Sequence, residues 1–181
     1  KTGNPIYGSV NAKNGAALAA STSRASAWAI FGLAINYKKT KDKNFIDTYK
    51  KVAEWFIRHL PEDLVCRWGT DMAKGAIPDC LSAAIAICGF LEMNKDQDFD
   101  FSKKHIEVAF RILNSLIDHY AVVPSDGGEG FLRCGSLSVR LDEYDVQRGN
   151  SNACVSTIQA DYFYFEAIMR ALGNWDSYWS L

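Results

Sequence analysis

An alternation between two kinds of helix constrains this chain more than any other feature of its sequence. Periodicity predicts five helices, over about Arg24–Tyr37, Asn44–Leu60, Cys80–Met93, Ser102–Val122 and Val155–Leu172. The first and third have almost no polar face: Ala27, Trp28, Ile30, Phe31 and Leu33 in one; Leu81, Ala84, Ile85, Ile87 and Phe90 in the other. A helix that is apolar all round is a buried one. The second and fourth each carry one apolar stripe, through Phe45, Tyr49, Val52 and Phe56 and through Ile106, Ala109, Leu113 and Leu116, with charged residues over the rest. The fifth is again expected to be buried. Buried, amphipathic, buried, amphipathic, buried is the order of inner and outer helices in an α/α barrel, whereas an up-and-down bundle would give every helix a stripe. The first and third helices begin roughly 55 residues apart, as a helical-hairpin repeat requires. The expected fold is therefore all-α, of the (α/α) barrel type, in a single helical domain over residues 1–181.

Local signals agree. Asp42 and Asp79 are placed to cap the second and third helices, Ser102 the fourth, and Pro61 and Gly173 to stop the second and fifth. The exception to helix is the stretch from Gly127 to Asn150. There Phe131-Leu132-Arg133-Cys134 and Leu137-Ser-Val-Arg-Leu141 read as short strands after a Gly-rich turn.

Charge excludes some partners. Twenty Lys and Arg balance 21 Asp and Glu, and no basic run is present to follow a nucleic-acid backbone or an anionic membrane. The longest apolar stretch, Leu81–Leu91, is too short to span a bilayer. The start, Lys1-Thr-Gly-Asn-Pro-Ile-Tyr, reads like the middle of a longer protein. Five cysteines, Cys66, Cys80, Cys88, Cys134 and Cys154, are odd in number and contain no CxxC pair. Neither a disulfide framework nor a zinc site is indicated, and plain reduced or buried thiols are expected. His105 and His119 share an amphipathic helix and read as solvated or capping.

Four segments resemble, in order, words of glycoside hydrolase family 88, the unsaturated glucuronyl hydrolases. Ser23-Arg24-Ala25-Ser26-Ala27-Trp28-Ala29-Ile30-Phe31-Gly32 is similar to W-S-R-G-Q-A-W-x-x-x-G, and Leu60–Trp68 to L-P-x-D-x-V-P-x-W. Asp79–Glu92 is similar to D-S-S-A-A-A-I-A-x-C-G-L-L-E, and Ala160–Ile168 to G-D-Y-Y-F-L-E-A-L. Trp175-Asp176-Ser177-Tyr178-Trp179 resembles the family's C-terminal end. The resemblance implies an (α/α)6 barrel, of which this chain would be the C-terminal half. It implies removal of an unsaturated uronic acid from oligosaccharides made by polysaccharide lyases, in a cytoplasmic or periplasmic setting. In that reaction an aspartic acid protonates the vinyl ether, water adds, and the hemiketal falls apart, with no metal or organic cofactor.

By the same resemblance Arg24 and Trp28 bind substrate. A guanidinium can hold both oxygens of a uronate carboxylate in one plane, and an indole face can stack on a sugar ring. Against this stand a helix-terminal ion pair for Arg24 and a core position for Trp28, the latter favoured by its apolar neighbours. The departures are several. Where the family has an acidic pair this chain has Leu18 and Ala19, and where it has tryptophan, glycine and glutamine it has Thr22, Ala25 and Ser26. Its P-R-D is Ile77-Pro78-Asp79. The family's catalytic aspartates lie upstream of the matching part, so no catalytic residue carries over. Asp161 and Asp71 remain as weak candidates: Asp161 to orient a site or to bond within the core, Asp71 as a displaced counterpart of a family aspartate. Arg133, Arg140 and Arg148 are expected in solvent, with contact of one of them to an acidic sugar as the other reading. A half-barrel would expose the flanks of its inner helices, and pairing with itself or with the other half is expected across them. The alternative to a hydrolase is a non-catalytic carbohydrate-binding or scaffold homologue.

Overall fold

The order of packing follows from where the apolar residues fall. The structure, a computed structural model, describes residues 23–67, 78–94, 100–123, 125, 127, 129–135 and 154–176. Five helices are present among them: α1 (Ser23–Thr40), α2 (Lys43–Arg58), α3 (Cys80–Asn94), α4 (Asp100–His119) and α5 (Ile158–Ala171). Helices α1 and α5 pack on the two sides of α3; α2 covers α1, and α4 covers α3. This gives an inner row α1–α3–α5 and an outer row α2–α4, the two-layer arrangement that the alternation predicts.

Helix α3 is buried along its whole apolar run, Cys80 through Met93. Gly89 lets it come close to α1. A Cβ at this position would stand 2.8 Å from the Cα and N of Phe31 and 2.9 Å from Cγ2 of Ile30. The outer helices bury one stripe each, Ile46, Tyr49, Ala53 and Phe56 from α2 and Val108, Ala109, Ile112, Leu113 and Leu116 from α4. The Asp42 carboxylate accepts from the N–H of Asn44 at 2.8 Å and so caps α2. Gly173, at φ +75°, follows the last turn of α5 in the left-handed region where glycine is favoured.

Several expectations need correction. Helix α4 begins at Asp100, so Ser102 lies inside it rather than at its cap. His105 is not solvated: it is buried, and its Nδ1 lies 3.0 Å from the Tyr49 hydroxyl, a partner that only the packing of α4 near α2 supplies. His119 is exposed. Among the described residues no strand forms. The run Phe131–Cys134 makes only an antiparallel bridge, Leu132 with Ala121, and Leu137–Leu141 lies outside the described residues. Cys134 and Cys154 form a disulfide, contrary to the expectation of thiols alone. They flank the long connection, whose ends are joined by the bond from Gly135 N–H to Val155 O at 2.9 Å. An odd count and a wide spacing hide such a pair from sequence. Cys66, Cys80 and Cys88 are buried thiols, and burial pushes each of them up. Among the described residues only α3 is buried all round; α1 exposes Trp28 and α5 exposes Ile158, Tyr162, Phe165 and Met169, as expected of inner helices at the flanks of a half-barrel.

Two measurements follow. Gly89→Ala drives a methyl into the α1 backbone and should destabilise the chain by about 2 kcal/mol in denaturant unfolding. Burial, helped by Lys104, lowers His105 from the ordinary 6.5 to about 4. The unfolded chain therefore binds a proton that the folded chain refuses, and stability should fall by roughly 1.4 kcal/mol per pH unit as pH drops from 6.5 toward 4. A His105→Leu variant should lose that slope between pH 6.5 and 5.

Candidate functional site

The inner helices run parallel, and their two ends differ in chemistry. At one end the N-termini of α1 and α3 are tied through a buried carboxylate. Asp79 Oδ1 accepts from the Ser82 N–H at 3.0 Å, which caps α3, and from Arg24 Nη2 of α1 at 3.0 Å. Its Oδ2 accepts from the hydroxyls of Ser82 at 2.5 Å and Ser23 at 3.3 Å. The start of α5 joins the same end. The Cys80 N–H donates to Cys134 O at 3.1 Å, and the Thr157 hydroxyl, which caps α5, donates to Gly135 O at 3.0 Å. Three helix N-termini therefore meet here, an environment that favours negative charge.

Each sequence-predicted residue can now be placed. Arg24 makes the ion pair weighed against substrate binding, while 17% of its side chain stays accessible. Trp28 lies one turn further along the same face of α1, as i and i+4 residues do. It is not a core residue: it is 45% exposed. Its ring stands edge-on to Phe163 of α5 at 5.2 Å and tilted to Phe31 at 6.4 Å. Asp79 is the helix cap that the sequence predicts, and more, since it also holds α1. Asp161 lies in the first turn of α5. Its Oδ1 accepts from the N–H groups of Phe131 and Leu132, both at 2.9 Å, and so fastens the loop before Cys134 to α5. Arg133 is half-buried; Asp71, Arg140, Arg148, Leu18, Ala19 and Thr22 lie outside the described residues.

Phe163 escaped the sequence reading as a partner of Trp28, because the two helices meet only in the fold. So did the opposite end of the inner row. There Glu92 of α3 is bonded by Lys38 of α1 and Arg170 of α5, and Arg170 also holds Glu166, with Nε donating to Oε1 at 2.8 Å. Burial alone would raise the Glu92 carboxyl; Lys38 and Arg170 overcome it and hold the group below the usual range. Charged residues within helices that are otherwise apolar were the available signal, since such groups are rarely buried unless paired. Among the described residues no group of three His, Cys, Asp or Glu is arranged to hold a metal ion, and no helix is long and apolar enough to cross a membrane.

No family model matches the chain. Individual relatives do. It is 32% identical over 183 residues to an unsaturated chondroitin disaccharide hydrolase of Streptococcus pyogenes serotype M1, covering 99% of this chain and 43% of the relative. It is 31% identical over 160 residues to an unsaturated glucuronyl hydrolase of Bacillus sp. strain GL1, covering 86% and 40%. The crystal structure of unsaturated glucuronyl hydrolase from Bacillus sp. GL1 superposes with a TM-score of 0.74 at 30% identity, over 88% of this chain and 42% of that one. An aspartate-to-asparagine variant of the Streptococcus agalactiae enzyme, complexed with dGlcA-GalNAc6S, gives 0.72 at 31% identity, over 98% and 46%. The chain thus spans a little under half the length of the relatives it matches.

The role of Asp161 is open to a direct check. Asp161→Ala should release two charge-assisted bonds, lower stability by about 2 kcal/mol, and speed amide exchange first at Phe131 and Leu132. Unchanged exchange at those two amides would contradict the anchoring role.

Proposed function

The chain belongs to the unsaturated glucuronyl hydrolases of glycoside hydrolase family 88, and from that premise we propose that it forms the sugar-binding wall of a hydrolase acting on unsaturated uronyl oligosaccharides. The observation that carries this reading is the pairing of a partly accessible guanidinium, Arg24, with a half-exposed indole, Trp28, one helical turn apart. They sit at the end of the inner row where three helix N-termini meet. A terminal unsaturated uronic acid offers one carboxylate and one flattened ring. Arg24 meets the carboxylate, with Asp79 holding the guanidinium in place, and the exposed part of Trp28 takes the ring, with the edge-on Phe163 fixing the indole.

The reaction is hydration of the vinyl ether and needs a carboxyl group that can give a proton to the double bond and take one from water. Asp79 is buried under four hydrogen bonds and Asp161 is engaged by two backbone N–H groups. Both are engaged in holding the frame, and Asp71 lies outside the described residues; the family resemblance puts the proton-transferring carboxylates upstream of the part that this chain matches. A non-catalytic carbohydrate-binding homologue is the second reading, favoured by the same engagement of Asp161.

Titration calorimetry with an unsaturated chondroitin disaccharide tests the site. Binding should be measurable, and Trp28→Ala should weaken it about tenfold, the equivalent of roughly 1.4 kcal/mol. Arg24→Lys, which keeps the charge and loses the planar fork, should weaken it as well. No binding, or binding indifferent to both variants, would remove the proposal. Following the absorbance of the conjugated double bond separates the two readings. A flat trace for this chain, with loss of absorbance once the rest of the family's length is supplied, supports the hydrolase. A flat trace in both cases supports the binding homologue.

A further inference from the structure

The disulfide Cys134–Cys154 joins two stretches of chain that are attached to different helices. Cys134 is attached to α3: its carbonyl accepts from the Cys80 N–H at 3.1 Å, next to the Asp79 that holds Arg24. Cys154 leads into α5, whose cap is Thr157. Hydrogen bonds and close packing run across the same joint. The Gly135 N–H donates to Val155 O at 2.9 Å, and Gly135 O accepts from the Thr157 hydroxyl at 3.0 Å. A Cβ on Gly135 would stand 2.6 Å from Cβ of Ala160, so the chain lies directly on α5 there. Cys134 itself is held at φ +56°, in the left-handed region that a residue with a side chain rarely adopts. Such a conformation persists where the surroundings impose it. The pair also differs from the other cysteines in access. Cys66, Cys80 and Cys88 are buried thiols; Cys134 is buried too, but Cys154 is exposed. A thiol in solution therefore meets the disulfide at Cys154.

We propose that Cys134–Cys154 is a redox-sensitive clasp, which holds the start of α5 against the end of α3 while oxidised and loosens it when a dithiol reduces the bond. The step balances. One thiolate of the dithiol attacks Cys154 Sγ, the S–S bond breaks, and Cys134 leaves as a thiolate and takes up a proton. The second thiolate attacks the mixed disulfide, frees Cys154 as a thiol and closes the reagent's own disulfide. Two electrons pass from the dithiol to the protein. Without the covalent link the left-handed turn at Cys134 relaxes more readily, and its carbonyl is released from the Cys80 amide. The consequence for sugar rests on the sugar-binding reading: with the start of α5 loosened, Phe163 fixes the Trp28 indole less firmly, and affinity falls. Such a clasp is closed in an oxidising compartment and opens where glutathione or thioredoxin keeps thiols reduced.

The test compares the full 181-residue chain equilibrated in an oxidising glutathione buffer, the same chain in excess dithiothreitol, and a Cys134→Ser/Cys154→Ser variant. Alkylation after unfolding, read by mass, should label three thiols in the oxidised chain and five after reduction. Amide exchange at Cys80 and Gly135 should accelerate about tenfold on reduction, while exchange at Asn44, under the Asp42 cap of α2, stays unchanged. The double variant should show the faster rates with or without dithiothreitol. Circular dichroism checks that helix content is kept; if the double variant does not fold, Cys154→Ser at the exposed position replaces it. Five labelled thiols in the oxidising buffer, or exchange at Cys80 and Gly135 indifferent to reduction, would overturn the proposal. Calorimetry with the unsaturated chondroitin disaccharide gives the second readout, with binding about threefold weaker on reduction. Equal affinity in both states would overturn the coupling to Trp28. Faster exchange with no sugar binding in either state supports the clasp and removes the sugar reading alone.

Discussion

Helix α3 has no polar face, and the rest of the structure is arranged around that constraint. A helix with apolar side chains in every direction can only exist wrapped, and here α1, α5 and α4 wrap it on successive sides. The close approach at Gly89 brings one of those neighbours to backbone contact. The remaining helices can keep stripes or half-faces because α3 takes the centre of the inner row. Removing water from the apolar run of α3, Cys80 through Met93, is favourable, and the other helices are placed to cover it.

The two ends of α3 are both acidic, and they are handled in opposite ways. Asp79 sits at the positive end of the helix dipole, where a carboxylate caps the free N–H groups and is stabilised there. One arginine and two hydroxyls complete it. Glu92 sits near the negative end, where both burial and the dipole act against it. It is held by two cations from different helices, Lys38 and Arg170. Each acid thus clasps its neighbours to α3 at a fixed height, and the parallel inner helices cannot slide past one another without breaking one clasp or the other. Apolar packing favours contact between these helices but fixes their relative height less tightly than paired charges do.

The frame was legible in the sequence because periodicity and capping are local. The helices Cys80–Asn94 and Lys43–Arg58, the Asp42 and Asp79 caps and the Gly173 stop all depend on residues within a few positions of one another. What was not legible depends on residues brought together from afar. Exposed flanks on the inner helices are expected of a half-barrel, but which residues lie on them, Trp28 on α1 and Phe165 on α5 among them, depends on neighbours that the sequence does not name. His105 looked solvated on its own helix and is buried by Tyr49 of another. The Arg24–Asp79 pair is half legible: the sequence offers Arg24 for a sugar or an ion pair and Asp79 for a cap, and the fold joins them across 55 positions. For Asp161 the sequence leaves open orienting a site and bonding within the core; in the fold it accepts from two backbone N–H groups of the loop.

The long connection leaves and re-enters the frame at almost the same point. Cys134 and Cys154 are bonded to each other, Gly135 is bonded to Val155, and Asp161 and Thr157 fix the strands of chain on either side. The start of α5 is therefore set by this joint: the residues that end at Gly135 hold Val155 and Thr157 in place, so the third inner helix takes its position from the first two.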